Sequence, residues 1–294
     1  MIKDITKKLY SYTPQETVYH YTTFAGLLGI VQSGVLWTSD IRYMNDSAEM
    51  KYTVDLIGAE IAQRITAGHK NPHLLNQFLD WVSPRMAYGH MLFCASFRSN
   101  GNLLSQWRGY SPLGKGVSIG FNPDYLVSCA TSQSFSIGKC VYEPADQRKL
   151  IKQVIDEVEN LAHDQYSKAS ESKEQRENSC YDVFTKIESD LLRIAAILKH
   201  PSFQEEEEWR IVSPVLTDYV SSPVLFREGA TMLVPYLEFN LALKKKKPIP
   251  LDHIFLGPTP NKNLSMNSLT MFLSKNGIAP KNGISYCQIP YRAR

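Results

Sequence analysis

The chain has 294 residues, 43% of them apolar and 21% charged, which is the composition of an ordinary globular protein able to bury a sizeable core. Its formal net charge of +3 is too small to argue for a nucleic-acid-binding surface, although a local basic groove stays compatible with it.

In chain order, Thr17 to Thr22 is a β-branched and aromatic segment that predicts a strand, with His20 near its end. Phe24, Leu27, Leu28, Ile30 and Val31 then recur at helical spacing up to Gly34, a helix-ending residue. Val35 to Thr38 reads as a second strand. Ser39 to Asp46 is a polar loop in which Asn45 or Asp46 would cap the next helix, with Glu49 in its first turn. That helix is expected to about Ile65, and another over Pro72 to Met86. His90 to Arg98 predicts a buried strand that turns polar at Ser96, followed by a short helical piece over Leu104 to Tyr110 and a strand over Val117 to Phe121. Gly114-Lys115-Gly116 lacks the spacing and the Gly-Lys-Ser/Thr of a phosphate-binding loop.

Phe135 to Tyr142 predicts a strand. Leu150, Ile151, Val154, Ile155, Val158 and Leu161 mark an amphipathic helix from Pro144 to about Tyr166. A polar break is expected over Ser167 to Asn178, then a helix over Tyr181 to Leu198, so that about 144–200 reads as a helical insertion. Val224 to Arg227 and Thr231 to Leu237 suggest a hairpin across Glu228-Gly229. Lys244 to Lys247 reads as a solvated turn. Leu251 to Leu256 predicts a strand, Asn263 to Lys275 a helix, and Gly283 to Pro290 a closing strand. The pattern is one α+β domain over 1–294 without internal repeats.

Between the helical pair and the hairpin lies Phe203-Gln204-Glu205-Glu206-Glu207-Glu208-Trp209-Arg210-Ile211-Val212. An acidic run is most often a solvated face. Here it leads into Trp-Arg-Ile-Val, where glutamates are poor strand formers and like charges on one face repel, and such conflicts concentrate at functional sites. Period-two alternation would put Glu206, Glu208 and Arg210 on one face and Trp209 and Ile211 on the core face.

The five cysteines (Cys94, Cys129, Cys140, Cys180, Cys287) are scattered and include no Cys-x-x-Cys pair, which suits free thiols in a reducing cytoplasm. Met1 to Ile5 has no apolar signal core, and no segment approaches the ~18 apolar residues of a membrane span, so a cytoplasmic protein without a membrane partner is expected. His69 and His73 are spaced i,i+4 but flank Pro72 and lack a nearby carboxylate, and no metal site is expected.

Several stretches together resemble a bacterial domain family of unknown function. They are Val18-Tyr19-His20-Tyr21-Thr22, Tyr43-x-Asn45-Asp46-x-x-Glu49, Ser96-Phe97, Trp107-x-x-Tyr110, Gly116-x-x-x-Gly120-Phe121, Glu206-x-Glu208-Trp209-Arg210 and Ile289-Pro290-Tyr291-Arg292. That family in turn resembles the ADP-ribosyltransferase superfamily, which cleaves NAD on a split, mostly antiparallel sheet. The resemblance implies that His20 hydrogen-bonds the ribose of NAD and that aromatic residues drawn from Tyr21, Tyr43, Trp107 and Tyr110 flank the nicotinamide. It implies catalytic glutamates at Glu206 and Glu208, with Glu208 favoured among the four for its place beside Trp209-Arg210. Thr22, Asn45 and Ser96 fall within the matching motifs and join the expected cofactor-binding set. Arg42, Arg210 or Arg227 could hold the pyrophosphate, since guanidinium groups pair well with phosphate oxygens.

The expected activity is transfer of ADP-ribose from NAD, the substrate, to a protein or nucleic-acid acceptor. A bacterial toxin or phage-defence effector of this kind could have an antitoxin or sensor partner. An NAD glycohydrolase and a non-catalytic nucleotide- or partner-binding module are the alternatives, with a metal-dependent nuclease more distant.

Overall fold

A computed structural model describes residues 1–44, 49–110, 116–168, 173–242 and 248–289. Its ten described strands are β1 (Val18–Thr23), β2 (Val35–Asp40), β3 (Phe93–Arg98), β4 (Gly116–Phe121), β5 (Ser136–Lys139), β6 (Glu208–Val212), β7 (Leu225–Glu228), β8 (Leu233–Asn240), β9 (Leu251–Leu256) and β10 (Ile284–Tyr286). They form one open sheet in the order β10-β9-β4-β1-β3-β2-β8-β7, with β6 added to β3 and β5 added to β6. Every pairing is antiparallel except β9 with β10. The helices are α1 (Ile2–Leu9), α2 (Phe24–Ser33), α3 (Glu49–Thr66), α4 (Pro72–Tyr88), α5 (Leu104–Tyr110), α6 (Pro123–Ser132), α7 (Pro144–Lys168), α8 (Lys173–Ala195) and α9 (Lys262–Lys275). The class is therefore α+β with a mostly antiparallel sheet.

Strand β3 organises this sheet. Along one edge it pairs with β6 over five residues, from Cys94↔Val212 to Arg98↔Glu208. Its other edge is shared. β2 takes Phe93 and Cys94, β1 takes Arg98, and neither pairs with Ala95, Ser96 or Phe97 between them. The two strands part here and leave an opening in the sheet. A buried carbonyl left without a ladder partner is costly. At Ser96 the His20 side chain supplies that partner, with Nδ1 3.0 Å from the carbonyl oxygen.

Alternation along β3 and β6 divides the core in two. Cys94 and Val212 face a core built from α1, α3, α4, α7 and α8, centred on Ile57, Phe78, Ile155 and Phe184. Ala95, Phe97, Trp209 and Ile211 face a second core formed with residues of α2, α6 and α9. Residues 144–195, within the stretch of about 144–200 expected as a helical insertion, thus supply much of the first core. All five cysteines are buried and none forms a disulfide.

Most predicted elements appear where the periodicity put them, and the differences have local causes. Helix α6, absent from the sequence reading, begins at an Asn122 cap that accepts from the Tyr125 amide, with Pro123 in the first turn. Helix α1 is a two-turn amphipathic piece, short enough that its stability comes from packing on α8. The expected break over 167–178 is partly helical, since α8 starts at Lys173 and its Lys, Glu, Gln and Arg residues are good helix formers. The largest correction concerns the acidic run. Pro201–Glu206 is a 3₁₀ turn ended by Glu207 at φ 39°, so β6 starts only at Glu208 and Glu206 does not belong to the strand. The proposed cap at Asn45 or Asp46, the Gly114-Lys115 turn, the lysine run and Pro290-Tyr291-Arg292 lie outside the described residues.

Gly34 ends α2 at φ 74°, and a Cβ there would meet the Ala242 side chain at 3.1 Å. A Gly34→Ala substitution is expected to destabilise the fold by about 1–2 kcal/mol, because a side chain disfavours the left-handed region. Urea unfolding followed by circular dichroism checks this.

Candidate functional site

The opening between β1 and β2 widens into a groove of about 900 Å³. His20 and Ser96 lie at its base. Tyr21, Arg98, Gln106 and Tyr110 line it on the β1 and α5 side, and Trp37, Ser39, Tyr43 and Arg227 on the β2 and β7 side. A carbonyl can only accept, so the bond to Ser96 puts the ring proton of His20 on Nδ1 and leaves Nε2 as an acceptor. Burial lowers the His20 pKa, the Ser96 bond opposes this and the nearby Arg98 charge adds to it. The net direction favours a neutral imidazole.

Tyr21 packs edge-on against Trp107 at 4.8 Å between ring centres. Its hydroxyl donates to the Asn100 carbonyl at 2.9 Å and accepts from the Leu103 amide at 2.8 Å. Trp107 is wholly buried and donates to Asn102 Oδ1 at 2.8 Å, so it supports Tyr21 from behind and does not line the groove. Thr22 lines the groove beside His20. Arg227 donates to Ser39 Oγ at 3.0 Å from the far wall.

Behind Arg98 and Gln106 lies a cluster of three carboxylates and three cations. Arg210, 1% exposed, grips Glu49 of α3 with two bonds of 2.6 and 2.5 Å. It also donates through Nε to Glu208 Oε1 at 2.8 Å and through Nη1 to the Ala196 carbonyl at 2.7 Å. Lys199 reaches Glu208 at 2.6 Å and Glu206 at 2.7 Å, with Glu49 at 3.5 Å. Arg98 reaches Glu206 at 2.7 Å and Glu208 at 3.2 Å, and Gln106 donates to Glu206 Oε1 at 3.3 Å. Burial alone would raise the Glu208 pKa, but Arg210, Arg98 and Lys199 together outweigh it and hold this carboxyl well below the usual range. Glu208 is wholly enclosed, whereas Glu206 keeps 15% of its side chain exposed.

The structure thus gathers His20, Tyr21, Thr22, Tyr43, Ser96, Tyr110 and Arg227 in the groove. It gathers Glu206, Glu208 and Arg210 in the cluster behind it. Arg42 belongs to neither. It is tied to Asp40 at 2.9 and 2.6 Å and to the Gly89 carbonyl at 3.0 Å. Asn45 lies outside the described residues. Arg98, Gln106, Lys199 and the inward role of Glu49 escaped the sequence reading. Glu49 and Arg210 are 161 positions apart, and only the fold joins them. Among the described residues no group of three or more His, Cys, Asp or Glu side chains is arranged to hold a metal ion, and no helix is long and apolar enough to cross a membrane.

Fold and site define an α+β protein with an aromatic and cationic groove at a parting of its sheet. Residues 106–211, from α5 through β6, match a family described as "Protein of unknown function (DUF2971)". This segment holds Gln106, Lys199, Glu206, Glu208 and Arg210. No curated protein and no solved structure matches the chain.

Removing one member of a buried charge pair leaves the others uncompensated, at a cost of about 3–5 kcal/mol. Arg210→Gln is expected to lose that much in chemical denaturation. The pH dependence has a definite sign. Because folding depresses the Glu208 pKa, its contribution is complete above the ordinary value near 4.5 and is lost as pH falls below it. Denaturation at a series of pH values should show stability falling below about 4.5, and Glu208→Gln should flatten that decline.

Proposed function

We propose that the groove takes NAD and that the chain is an NAD-dependent ADP-ribosyltransferase acting on a macromolecular acceptor, in the manner of a toxin or phage-defence effector. The observation that carries the reading is His20, a neutral imidazole fixed by the Ser96 carbonyl at the parting of β1 and β2, inside a groove with aromatic and cationic walls. An imidazole with a free Nε2 acceptor suits a ribose hydroxyl. Tyr21 and Tyr110 suit a flanking role for the nicotinamide ring, and Arg227 suits a phosphate oxygen.

In the reaction the bond between ribose C1′ and the nicotinamide nitrogen breaks with its electron pair leaving on nicotinamide. The acceptor's nucleophilic atom then bonds to C1′ and loses its proton. Positive charge develops on the ribose, and stabilising negative charge would come from the Glu206–Glu208 pair behind the groove wall, where Arg210, Arg98 and Lys199 keep Glu208 ionised. Acceptor activation falls to Glu206, the more exposed of the two.

A second reading, a nucleotide-binding module without catalysis, is favoured by the enclosure of Glu208, whose two oxygens are already taken by Arg210, Lys199 and Arg98. Nicotinamide release from NAD by purified protein, alone and with cell lysate, separates the two. The enzyme reading expects release that falls by about a hundredfold in His20→Ala, whose loss misplaces the ribose. Label transfer to lysate distinguishes a transferase from a glycohydrolase. No release, together with NAD raising the melting temperature, would leave the module. No release and no thermal shift would sink both.

A further inference from the structure

Arg98 is the one cation of the buried cluster that also lines the groove, and its hydrogen bonding is incomplete. Nη2 donates to Glu206 Oε2 at 2.7 Å, and Nη1 reaches Glu208 Oε1 at 3.2 Å and the Phe97 carbonyl at 3.4 Å. Nε is buried and has no partner, in a side chain that is 4% exposed overall. Buried donors are almost always satisfied, so an orphan N–H on a guanidinium at a groove asks for a ligand.

The chemistry of that ligand follows from the shape of the group. Nε–H and the Nη–H beside it form the side-on fork that binds two oxygens of one phosphate or carboxylate. Here half of the fork is empty and the other half holds Glu206. We propose that Arg98 is the receptor for an oxyanion of the bound nucleotide and that this oxyanion takes Nη2 from Glu206. The inference rests on the groove being a nucleotide site and concerns how the anion is received.

The exchange is feasible because Glu206 has other partners. Lys199 at 2.7 Å and Gln106 at 3.3 Å keep it in place after Arg98 turns to the ligand. Glu208 likewise keeps Arg210 and Lys199. The remaining cluster would then hold three carboxylates against two cations, with the excess negative charge next to the groove. Anion binding and the strength of the carboxylate field are thereby coupled, and such coupling is reciprocal. Other groups around Arg98 are Tyr110 and Gln106 of α5, His20 and Tyr21 of β1, Tyr142, and Arg210 of β6, while Glu228 and Glu238 line the groove elsewhere. Of the described groups around Arg98 itself only Glu206 and Glu208 are carboxylates; the exposed Glu228 and Glu238 are the groove's own negative charges.

Inorganic pyrophosphate is the probe, since it carries the oxyanion without base or ribose, and binding is read by titration calorimetry on the full chain. Glu206→Gln removes the competitor and is expected to bind pyrophosphate at least about fivefold more tightly than the unaltered protein. Arg98→Gln is expected to bind about tenfold or more weakly. Should Arg98→Gln fail to fold, the partly exposed Glu206→Gln change decides alone, because a purely structural Glu206 would not restrain anion binding. Equal or weaker binding by Glu206→Gln, or no binding by either protein, overturns the proposal. If pyrophosphate follows the expected pattern while NAD neither binds nor is cleaved, the NAD reading falls and the Arg98 site stands.

Discussion

Arg210 ties three separate parts of this molecule together. It lies on β6, yet its guanidinium holds the first residue of α3, the carbonyl of Ala196 after α8, and the Glu208 carboxylate two residues back on its own strand. Ionised groups are brought out of water here at a cost of several kcal/mol each, which only their mutual pairing and hydrogen bonds offset. Three carboxylates against three cations leave the cluster neutral. The geometry is strict as a result. Glu49 of α3, Arg98 of β3, Lys199 and the 3₁₀ turn carrying Glu206 must all arrive together for any of them to be satisfied.

The second constraint is the shared edge of β3. A strand with five consecutive partners on one side and a gap of three residues on the other has surrendered part of its ladder. The Ser96 carbonyl shows how the backbone is repaired, through a histidine side chain from the neighbouring strand. The same bond orients His20, fixes its tautomer and leaves its second nitrogen to the groove. Backbone accounting and the candidate chemistry are thus one feature. The groove and the charge cluster also share a wall, since Arg98 and Gln106 line the one and bond to the other.

Much of this was legible in the chain. β-Branched and aromatic composition over Thr17 to Thr22 and helical spacing after Phe24 placed β1 and α2 closely, because local composition and hydrophobic period set local structure directly. The core role of Trp209 and Ile211 and the shared face of Glu208 and Arg210 also follow from strand parity. Parity failed one residue earlier. Glu207 turns into the left-handed region and ends the strand pattern, so Glu206 joins Glu208 through Lys199 and Arg98 and not through alternation. Helix α6 was missed although Asn122-Pro123 is a sound start signal, since its apolar face is short.

By itself, then, the sequence determined the element types, the two-sided burial of the central strands and the polar aromatic character around His20, all of which depend on residues a few positions apart. Tertiary structure alone decided that β1 and β2 part over Ser96. It decided too that Arg98 faces the groove, and that Glu49, Lys199, Glu208 and Arg210 neutralise one another in the interior. Those outcomes depend on strand order and on pairings across as many as 161 positions, and a charged residue in a sequence carries no mark of the opposite charge it will meet. The glutamates of the acidic run are for that reason a turn and one enclosed carboxylate, set behind the groove wall.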